Sequence, residues 1–402
     1  MDKHLKQTDF SGHHQIKICG SKSESNRLLI LKTLYPNIEI KNLSTSDDTQ
    51  VLHKALIQNS EEIDIHHAGT AMRFLTAYLA CFTTKSLVIT GSERMQNRPL
   101  KILVEALRQI GAKIEYVNKE GFPPLKISPS SIIKNEVSLQ ADVSSQYITA
   151  LMLVAPKLPN GLNINFTSKI TSLPYLKMTQ QLMRKLGFQV EFDGNCIQIP
   201  PKDRIEKTNF QVESDWSSAS YFYSLVALSP QLSLTLKTFK IGSLQGDSKL
   251  AELYKSLGVK TDFKNNAVHI KNTKNIKLKT YKQNLNDTPD LAQTIAVTCF
   301  GLGLKCHLTG LHTLKIKETD RLVALKNELE KFGAEVKIDG VSLLMIPPKS
   351  LNPNQTIETY NDHRMAMAFA PLMALTSLNI LDADVISKSY PKFWEDINLL
   401  IK

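Results

Sequence analysis

The sequence predicts an α/β protein of two domains, and three observations support this prediction. The chain has 402 residues, long enough for two domains that each have a hydrophobic core. Six stretches rich in Ala, Leu and Met are apolar on nearly every side, as in buried helices. Between them a segment recurs in which a helix ends at a glycine and two strands follow across a polar turn. Buried helices beside mixed sheets are common in α/β proteins, so this pattern predicts the class and not the function.

The six apolar stretches each begin with hydroxyl or charged residues, which core packing alone does not require. They cover residues 23–34, 69–80, 144–155, 217–228, 289–300 and 362–375. Helix N-termini attract anions through unpaired backbone N–H groups and the positive end of the helix dipole. Because three stretches come from each half of the chain, their N-termini can converge on one anion-attracting cleft.

The recurring segment places a glycine at the end of a helix. These glycines are Gly111, Gly187, Gly258 and Gly333, at a period of roughly 75 residues. Each is expected to adopt the left-handed conformation of a helix C′ residue. The strands that follow alternate between apolar and polar residues, as at 190–192 and 334–338.

Composition excludes several classes of protein. The longest apolar run, at 365–375, is too short for a membrane span and is broken by Pro371. Residues 1–6 lack the apolar stretch of an export signal, so a cytoplasmic location is expected. The five cysteines form no CxxC pair and are expected to be reduced, buried thiols. Histidine doublets at 13–14 and 66–67 lack further ligands at suitable spacings, so we expect no metal.

The formal charge of +11 fits a nucleic acid, an acidic membrane surface or a small anionic substrate as the partner. Long runs of Lys and Arg are absent, and no RNP or zinc-finger pattern is present. The basic residues are dispersed, and several lie in short polar motifs at helix starts. This distribution favours a small anion.

The stretch 20–27 has the pattern of an anion site at a helix start. Gly20 and small hydroxyl residues end a β-like segment and lead into the apolar residues 28–31, so Lys22 and Ser23 should lie at a helix N-terminus. Lys22 and Arg27 add two positive charges roughly one turn apart. A serine-capped helix with a solvated Lys and Arg would share this pattern. Repetition favours the anion site, since similar polar motifs lie at 67–73, 94–99, 144–146, 315–321 and 361–364.

Taken together, these motifs resemble the 5-enolpyruvylshikimate-3-phosphate (EPSP) synthase family of enolpyruvyl transferases. The resemblance runs in order over essentially the whole chain. It rests on residues 20–27, 68–73, 94–99, 143–146, 217–222, 245–247, 317–321 and 361–367. Any one of these segments is a weak signal, but eight in the right order are highly specific.

The resemblance implies two similar domains, each of three βαβαββ units with buried helices and outer sheets, an inside-out α/β barrel. In the family the chain crosses between domains twice. One domain would therefore comprise residues 21–212, and the other residues 1–20 and 213–402. The cleft is expected to close around substrate, which completes the site and excludes water.

The reaction implied by the resemblance joins shikimate 3-phosphate to phosphoenolpyruvate and releases phosphate. The 5-hydroxyl adds to C2 of phosphoenolpyruvate while C3 is protonated, and the tetrahedral intermediate eliminates phosphate. No cofactor is implied. The partners would be these two small anions, without nucleic acid or membrane, and the chain is expected to be a monomer.

The resemblance also implies substrate contacts, residue by residue. For shikimate 3-phosphate they are Lys22, Ser23, Arg27, Ser144, Ser145, Gln146, Ser172, Asp290 and Lys317. For phosphoenolpyruvate they are Lys22, Gly69, Arg98, Gln146, Arg321, Arg364 and Lys388. Arginine suits the second set because its guanidinium can bind a carboxylate or phosphate through two parallel hydrogen bonds.

Three residues are implied to be catalytic. Lys22 would lie between the two substrates, Asp290 would act as general base on the 5-hydroxyl, and Glu318 would exchange a proton with C3. Glu318 lies in sequence between Lys317 and Arg321, which should lower its pKa, and two bound anions should raise it again. Among neighbouring motif residues, Asp320 is expected to be structural. Contact with substrate and packing of the loops are equally compatible with the motif residues Arg73, Arg94 and His363.

Several residues depart from the family pattern. His67 replaces an Asn before the motif at 68–73, and Phe74 replaces the Pro after it. Both are expected to adjoin the phosphoenolpyruvate site and to affect affinity rather than reaction type. Cys19 replaces a Pro, Glu24 stands where a small or apolar residue is usual, and Thr313 replaces an Asn whose contact it is too short to reproduce.

Three other functions compete with this interpretation. The sister enzyme that transfers enolpyruvate to a UDP-linked amino sugar shares the fold, but has GlyxLysAsn in place of residues 20–23 and usually a reactive Cys at 94–99, where this chain has none. A basic nucleic-acid-binding protein would show salt-sensitive, sequence-independent binding. A catalytically dead scaffold is disfavoured because both carboxylates and the set of cations are present.

Overall fold

The computed structural model describes residues 1–58, 60–142 and 144–401, so Val143 of the motif at 143–146 lies outside the described residues. The chain forms two compact units. The first unit is Gly20–Val212, and the second unit combines Met1–Cys19 with Glu213–Lys402. The family resemblance places the domain starts at residues 21 and 213.

Two strands of the second unit, β1 (Lys3–Leu5) and β2 (Ser11–Ile16), come before the first unit along the chain. The helices of the first unit are α1 (Lys22–Leu34), α2 (Asp47–Ile57), α3 (Gly69–Phe82), α4 (Glu93–Gln96), α5 (Lys101–Gln109), α6 (Ser145–Val154) and α7 (Leu173–Lys185). Its strands are β3 (Ile38–Lys41), β4 (Glu62–Asp64), β5 (Leu87–Thr90), β6 (Lys113–Tyr116), β7 (Leu125–Ser128), β8 (Glu136–Leu139), β9 (Leu162–Phe166), β10 (Glu191–Phe192), β11 (Cys196–Ile199) and β12 (Thr208–Gln211).

The remainder of the second unit contains the later helices and strands. The helices are α8 (Trp216–Leu228), α9 (Leu250–Leu253), α10 (Ala292–Gly301), α11 (Arg321–Lys331), α12 (His363–Phe369) and α13 (Phe393–Asn398). The strands are β13 (Gln231–Lys237), β14 (Val259–Lys264), β15 (Ala267–Asn272), β16 (Thr280–Asn284), β17 (Lys305–Thr309), β18 (Glu335–Ile338), β19 (Leu343–Ile346), β20 (Thr356–Ile357) and β21 (Leu378–Ile380).

Sheets in the first unit follow the predicted βαβαββ order twice. The sheet β4-β5-β7-β6 pairs β4 with β5 in parallel and places the antiparallel hairpin of β6 and β7 beside β5. The sheet β10-β11-β9-β8 is built in the same way. The smaller third sheet pairs β3 with β12 in parallel. It has no hairpin because β12 is followed directly by Val212, where this unit ends.

Sheets in the second unit repeat this arrangement. The orders are β14-β15-β13-β2 and β16-β17-β19-β18, each with one parallel and two antiparallel pairings. The third sheet, β1-β21-β20, has three strands. The α/β class with repeated βαβαββ units is therefore confirmed, with a smaller third sheet in each unit as the difference from the prediction.

The six predicted buried helices are confirmed by their burial. In α8 every residue except Ser217 is buried, and in α10 every residue except Gly301. By contrast α5 buries one face, through residues such as Leu103 and Leu107. The predicted helix at 362–375 is α12 followed by a 3₁₀ helix, Ala370–Ala374, because Pro371 has no N–H to continue an α-helix.

The predicted helix-terminating glycines are confirmed as left-handed. Their φ angles are +112° at Gly111, +88° at Gly187, +82° at Gly258 and +93° at Gly333. L-residues rarely adopt this conformation, whereas glycine does so without a steric penalty. The third repeat differs from the others, because its helix α9 has only four residues.

All five cysteines are free thiols. Cys299 and Cys306 are buried as predicted, whereas Cys19, Cys81 and Cys196 are only partly buried. No helix in the part of the chain that the structure describes has the length and apolar character needed to cross a membrane.

Candidate active site

The predicted helix start at Lys22 is confirmed, because α1 begins at this residue. Ser21 is the N-cap, and its hydroxyl accepts a hydrogen bond of 3.5 Å from the backbone N–H of Glu24. Gly20 lies where a Cβ atom would clash with the carbonyl oxygen of Asn42. Only glycine therefore allows this turn, which ends at backbone N–H groups that favour an anion.

Lys22 is paired with a carboxylate that sequence analysis did not single out. Its Nζ lies 3.3 Å from Oδ2 of Asp48, in the first turn of α2. Asp48 is 2% exposed, and its Oδ1 has no hydrogen-bond partner among the described residues. Acidic residues at a helix start are common because they favour the helix dipole, so the sequence carries no signal for this pairing.

Arg27 lies inside the first unit, with 3% of its surface exposed. Its Nε donates to the Thr179 hydroxyl over 2.8 Å, and Nη1 donates to the carbonyl oxygen of Ser23 over 2.7 Å. The guanidinium carbon lies 5.7 Å from the centroid of the Phe74 ring. Burial lowers the pKa of Arg27 to about 10, so the group still carries its charge at neutral pH. The negative charge of the buried Glu24 acts in the opposite direction and offsets part of the effect of burial.

Gly69 and Arg98 are in contact, at the start of α3. A Cβ atom at Gly69 would clash with the guanidinium of Arg98, so glycine allows this cation to lie against the helix backbone. Arg73 is buried and donates to the carbonyl oxygens of Gly69, over 3.1 Å, and Pro99, over 3.4 Å. Arg73 thus ties α3 to the loop that carries Arg98, which supports the packing alternative for this residue.

The predicted hydroxyl residues lie at two further helix starts. Ser144 is the N-cap of α6, and its hydroxyl accepts from the backbone N–H of Gln146 over 3.3 Å. The Gln146 amide donates to the Thr70 hydroxyl over 3.4 Å, which connects α6 to the first turn of α3. Ser145 is buried. Ser172 precedes α7 with a φ of +56°, an uncommon conformation for a residue other than glycine.

In the second unit, one guanidinium holds three carboxylates. Arg321 begins α11 and is 1% exposed. Its Nε donates to Asp362 over 2.6 Å, Nη1 to Asp290 over 2.9 Å, and Nη2 to Glu318 over 2.9 Å. Asp290 lies in a 3₁₀ turn before α10, and Asp362 is the N-cap of α12. The two proposed catalytic carboxylates are thus fixed side by side.

Three further cations complete this cluster. Arg364 Nη2 lies 3.1 Å from Asp290 Oδ2, and Lys317 Nζ lies 3.7 Å from Asp290 Oδ1. Lys388 Nζ lies 3.1 Å from Glu318 Oε1. The sequence placed Glu318 between Lys317 and Arg321, and in the structure Glu318 forms ion pairs with Arg321 and with the distant Lys388. Lys317 also pairs with Asp290, which the sequence order of the motif did not indicate.

Charge and burial act in opposite directions on Asp290. Burial alone would raise its pKa, but Arg364, Lys317 and Arg321 together outweigh burial and hold the pKa well below its usual range. Burial would lower the pKa of Arg321, but its carboxylate partners outweigh burial and raise it. Asp290 is therefore ionised and Arg321 charged at any physiological pH.

Asp247 is a buried carboxyl close to this cluster. It accepts a hydrogen bond from the Ser217 hydroxyl, and its Oδ1 has no hydrogen-bond partner among the described residues. Burial raises its pKa to about 7, and the negative charge of Asp290 adds to the shift. Asp247 belongs to the motif at 245–247, but the sequence assigned it no role, and nothing in this motif indicates that its carboxyl group is buried.

Three other motif residues, Asp320, His363 and Arg94, differ in their surroundings. Asp320 caps α11 by accepting from the N–H groups of Leu322 and Val323, so its predicted structural role is confirmed. His363 is buried, with Nδ1 3.7 Å from an oxygen of Asp362. Arg94 is exposed in the short helix α4.

In the described ranges, no group of three or more His, Cys, Asp or Glu side chains is arranged to hold a metal ion. The carboxylates of the second unit are instead held by cations, as in a site for anions.

The chain matches the family model described as EPSP synthase (3-phosphoshikimate 1-carboxyvinyltransferase) over residues 52–397. It is 46% identical over 387 residues to the 3-phosphoshikimate 1-carboxyvinyltransferase of Bacteroides fragilis, covering 95% of this chain and 94% of that protein. It is 35% identical over 424 residues to the protein of the same name from Haemophilus influenzae, covering 95% of each.

Solved structures resemble the chain in fold. An EPSP synthase from Acinetobacter baumannii aligns with a TM-score of 0.79 at 19% identity, covering 100% of this chain and 98% of that one. The enolpyruvyl transferase NikO from Streptomyces tendae aligns with a TM-score of 0.73 at 12% identity, covering 99% and 96%. At these identities the matches bear on the fold alone, and they agree with the predicted class.

Proposed function

Because this chain belongs to the EPSP synthase family, we propose that it joins phosphoenolpyruvate to shikimate 3-phosphate and releases phosphate, a step of aromatic amino acid biosynthesis. The 5-hydroxyl oxygen of shikimate 3-phosphate bonds to C2 of phosphoenolpyruvate as its proton leaves and C3 gains a proton. In the second step C3 loses a proton and the bond from C2 to the phosphate oxygen breaks. The products are the enol ether and inorganic phosphate.

The observation that carries this proposal is the arrangement of Asp290 and Glu318 on one guanidinium. Adjacent nitrogens of Arg321 hold the two carboxylates, each over 2.9 Å. The addition needs a base for the 5-hydroxyl proton and an acid for C3, and two carboxylates can take these roles only when their surroundings differ. Here Asp290 also faces Arg364 and Lys317, whereas Glu318 also faces Lys388.

Asp290 acts as the base in this proposal, although its pKa lies well below the usual range. The cause is the field of Arg364, Lys317 and Arg321, which outweighs burial. Arg364 and Arg321 are assigned to phosphoenolpyruvate and Lys317 to shikimate 3-phosphate, so the bound anions would offset this field. Loss of the opposing charge raises the pKa of a buried carboxylate, and Asp290 becomes a stronger base.

Glu318 acts as the acid toward C3. Its partners, Arg321 and Lys388, are both assigned to phosphoenolpyruvate. A substrate carboxylate or phosphate that competes for these cations would weaken their hold on Glu318 and favour its protonated form. The substrate thereby generates the acid that the reaction needs.

The first unit contributes cations and hydroxyls to both substrates. Lys22 is proposed to contact both, and Gly69, Arg98 and Gln146 to contact phosphoenolpyruvate. For shikimate 3-phosphate the proposed contacts in this unit include Ser23, Arg27, Ser144, Ser145, Gln146 and Ser172. The contact of Gly69 with Arg98 and the hydrogen bond between Gln146 and Thr70 support grouping the phosphoenolpyruvate contacts of this unit.

The experiment is phosphate release by the purified protein with both substrates and with each alone. We expect release only with both, and loss of release in the Lys22→Ala and Glu318→Ala variants. Lys32→Ala, at an exposed site in the last turn of α1, and Glu330→Gln, at an exposed site in α11, are matched controls that should keep full activity. Release from phosphoenolpyruvate alone would contradict the proposal.

The rival acceptor is tested in the same assay with UDP-N-acetylglucosamine in place of shikimate 3-phosphate. We expect no release with this acceptor. Release with it, and not with shikimate 3-phosphate, would assign the chain to the sister activity.

The chain is further proposed to act as a monomer in the cytoplasm. All assigned contacts come from one chain, and free thiols are typical of a reducing compartment. Light scattering at the concentration used for the assay tests the first point, where a dimer mass would contradict it. Fractionation of cells tests the second, where recovery outside the cytoplasm would contradict it.

A further inference from the structure

The Phe74 ring lies against the Arg27 guanidinium. Phe74 is 1% exposed and Arg27 is 3% exposed, so both groups are inside the first unit. The guanidinium carbon lies 5.7 Å from the ring centroid, within the range of a cation–π interaction. Phe74 lies in α3 and Arg27 in α1, and the contact therefore connects two helices whose first turns carry proposed substrate contacts.

A buried guanidinium needs compensation for the water that it loses. Arg321 obtains it from three carboxylates, Asp290, Glu318 and Asp362. Arg27 donates to two neutral acceptors, the Thr179 hydroxyl and the Ser23 carbonyl oxygen, and lies against the aromatic ring. The charge of Glu24 also favours the charged form of Arg27, but its effect is smaller than that of burial. The negative face of an aromatic ring attracts a cation without neutralising its formal charge.

This difference matters for anion binding. A carboxylate beside Arg27 would compete with a substrate phosphate or carboxylate for the same N–H donors. The guanidinium carbon lies over the ring, and a ring face attracts the cation without accepting a conventional hydrogen bond, so the N–H donors remain available to other acceptors. Arg27 thus keeps its full charge while its orientation is fixed.

We infer that Phe74 is a positioning residue that holds the Arg27 guanidinium through its ring face, so that Arg27 can bind shikimate 3-phosphate. This inference rests on the proposed contact between Arg27 and that substrate. A purely apolar side chain of similar size would fill the same space but would not attract the cation.

The test replaces Phe74 with phenylalanines that carry one, two and three ring fluorines, introduced by codon suppression. Fluorine withdraws the negative charge of the ring face in steps while the shape changes little. A cation–π contact of about 0.5–2 kcal/mol corresponds to roughly 2- to 30-fold in binding. We expect the KM for shikimate 3-phosphate to rise with each fluorine by a total within this range. The KM for phosphoenolpyruvate and kcat should stay within about twofold, below the predicted range.

Two controls separate charge from packing. The same series at Phe10, which is also buried, should leave all constants unchanged, since no cation–π contact to Phe10 is present among the described residues. Phe74→Leu keeps an apolar side chain, and its thermal unfolding shows whether the fold is retained. A KM that rises in Phe74→Leu but stays flat across the fluorinated series would overturn the inference in favour of simple packing.

Arg27→Gln, measured alongside, separates the inference from the proposed function. A raised KM for shikimate 3-phosphate in Arg27→Gln with a flat fluorinated series overturns the role of Phe74 and leaves the proposed contact intact. An unchanged KM in Arg27→Gln overturns the contact itself and with it the positioning role.

Discussion

Arg321 and Arg27 show how differently two buried guanidinium groups are held at the scale of single residues. Arg321 is shared among three carboxylates and has a raised pKa, whereas Arg27 lies between two neutral acceptors and a ring and has a lowered pKa. Arg321 therefore organises acidic groups, while the hydrogen bonds of Arg27 within the fold go to neutral acceptors. Their chemical roles follow from these partners more than from the residue type.

Asp247 leads to a prediction about stability and pH. Burial raises its pKa to about 7 from an ordinary value of 3.8. The folded protein thus holds a proton that the unfolded chain loses between these pH values. The free energy of unfolding contributed by Asp247 therefore falls as the pH rises through this range, and levels off above about pH 7.

The Asp247→Asn variant removes this titration while keeping the shape and an acceptor for Ser217. Relative to the natural protein, its free energy of unfolding should rise by roughly 2–3 kcal/mol between pH 5 and pH 8, since about two pH units lie below the pKa of about 7 and each counts for about 1.4 kcal/mol. Urea unfolding at the two pH values measures the difference. Asp262→Asn, an exposed control, should show no such trend. A constant difference between Asp247→Asn and the natural protein would contradict the buried, protonated state.

The sequence offered candidate residues for the site through a family resemblance, but it could not predict the partners of these residues. The family resemblance is what assigned roles to Lys22, Asp290, Glu318 and Arg321. Which cation faces which carboxylate depends on how distant segments pack, as in the pairing of Lys388 with Glu318. The contact of Arg27 with Phe74 is of the same kind, since aromatic residues in apolar helices usually signal only a core.

At the scale of elements, the starts of several helices carry the proposed substrate contacts. Three of these helices have a side-chain cap that accepts hydrogen bonds from backbone N–H groups, at Ser21, Ser144 and Asp320. Each cap fixes the first turn of its helix and therefore the positions of the side chains that follow. These starts were predictable because capping and helix-terminating glycines are local signals. The break between α12 and its 3₁₀ continuation at Pro371 was the main difference in helix type.

Asp320→Ala tests the link between a cap and the site. Loss of the two N–H partners, Leu322 and Val323, should lower the free energy of unfolding by about 0.5–2 kcal/mol. Because Arg321 follows directly, the KM for phosphoenolpyruvate should rise as well. Asp320→Asn, which retains a capping oxygen, should keep both values near those of the natural protein. If Ala and Asn behave alike, the cap does not position Arg321.

At the scale of the whole molecule, the chain divides into two units with repeated topology. The prediction of two crossings came from the family resemblance, because the repeats themselves do not tell which segments share a core. The first unit is a continuous segment, Gly20–Val212, with its own buried helices and sheets. The second is assembled from both ends of the chain.

A fragment of residues 20–212 is expected to fold alone, because its core is complete within one segment. It should unfold in a single cooperative transition followed by circular dichroism. It should release no phosphate, since Asp290, Glu318 and Arg321 belong to the second unit. A fragment without a cooperative transition would contradict the independence of this core, and phosphate release by the fragment would contradict the assigned catalytic residues.

The central claim is that a carboxylate held by Arg321 protonates C3 of phosphoenolpyruvate during enolpyruvyl transfer. The most direct measurement is the reaction in D₂O, with the methylene group of the product followed by NMR and mass spectrometry. The account predicts deuterium in the methylene group, and a fall in product formation of about 10²–10⁴-fold in Glu318→Gln. Product that forms without deuterium, or with undiminished rate in Glu318→Gln, would contradict it.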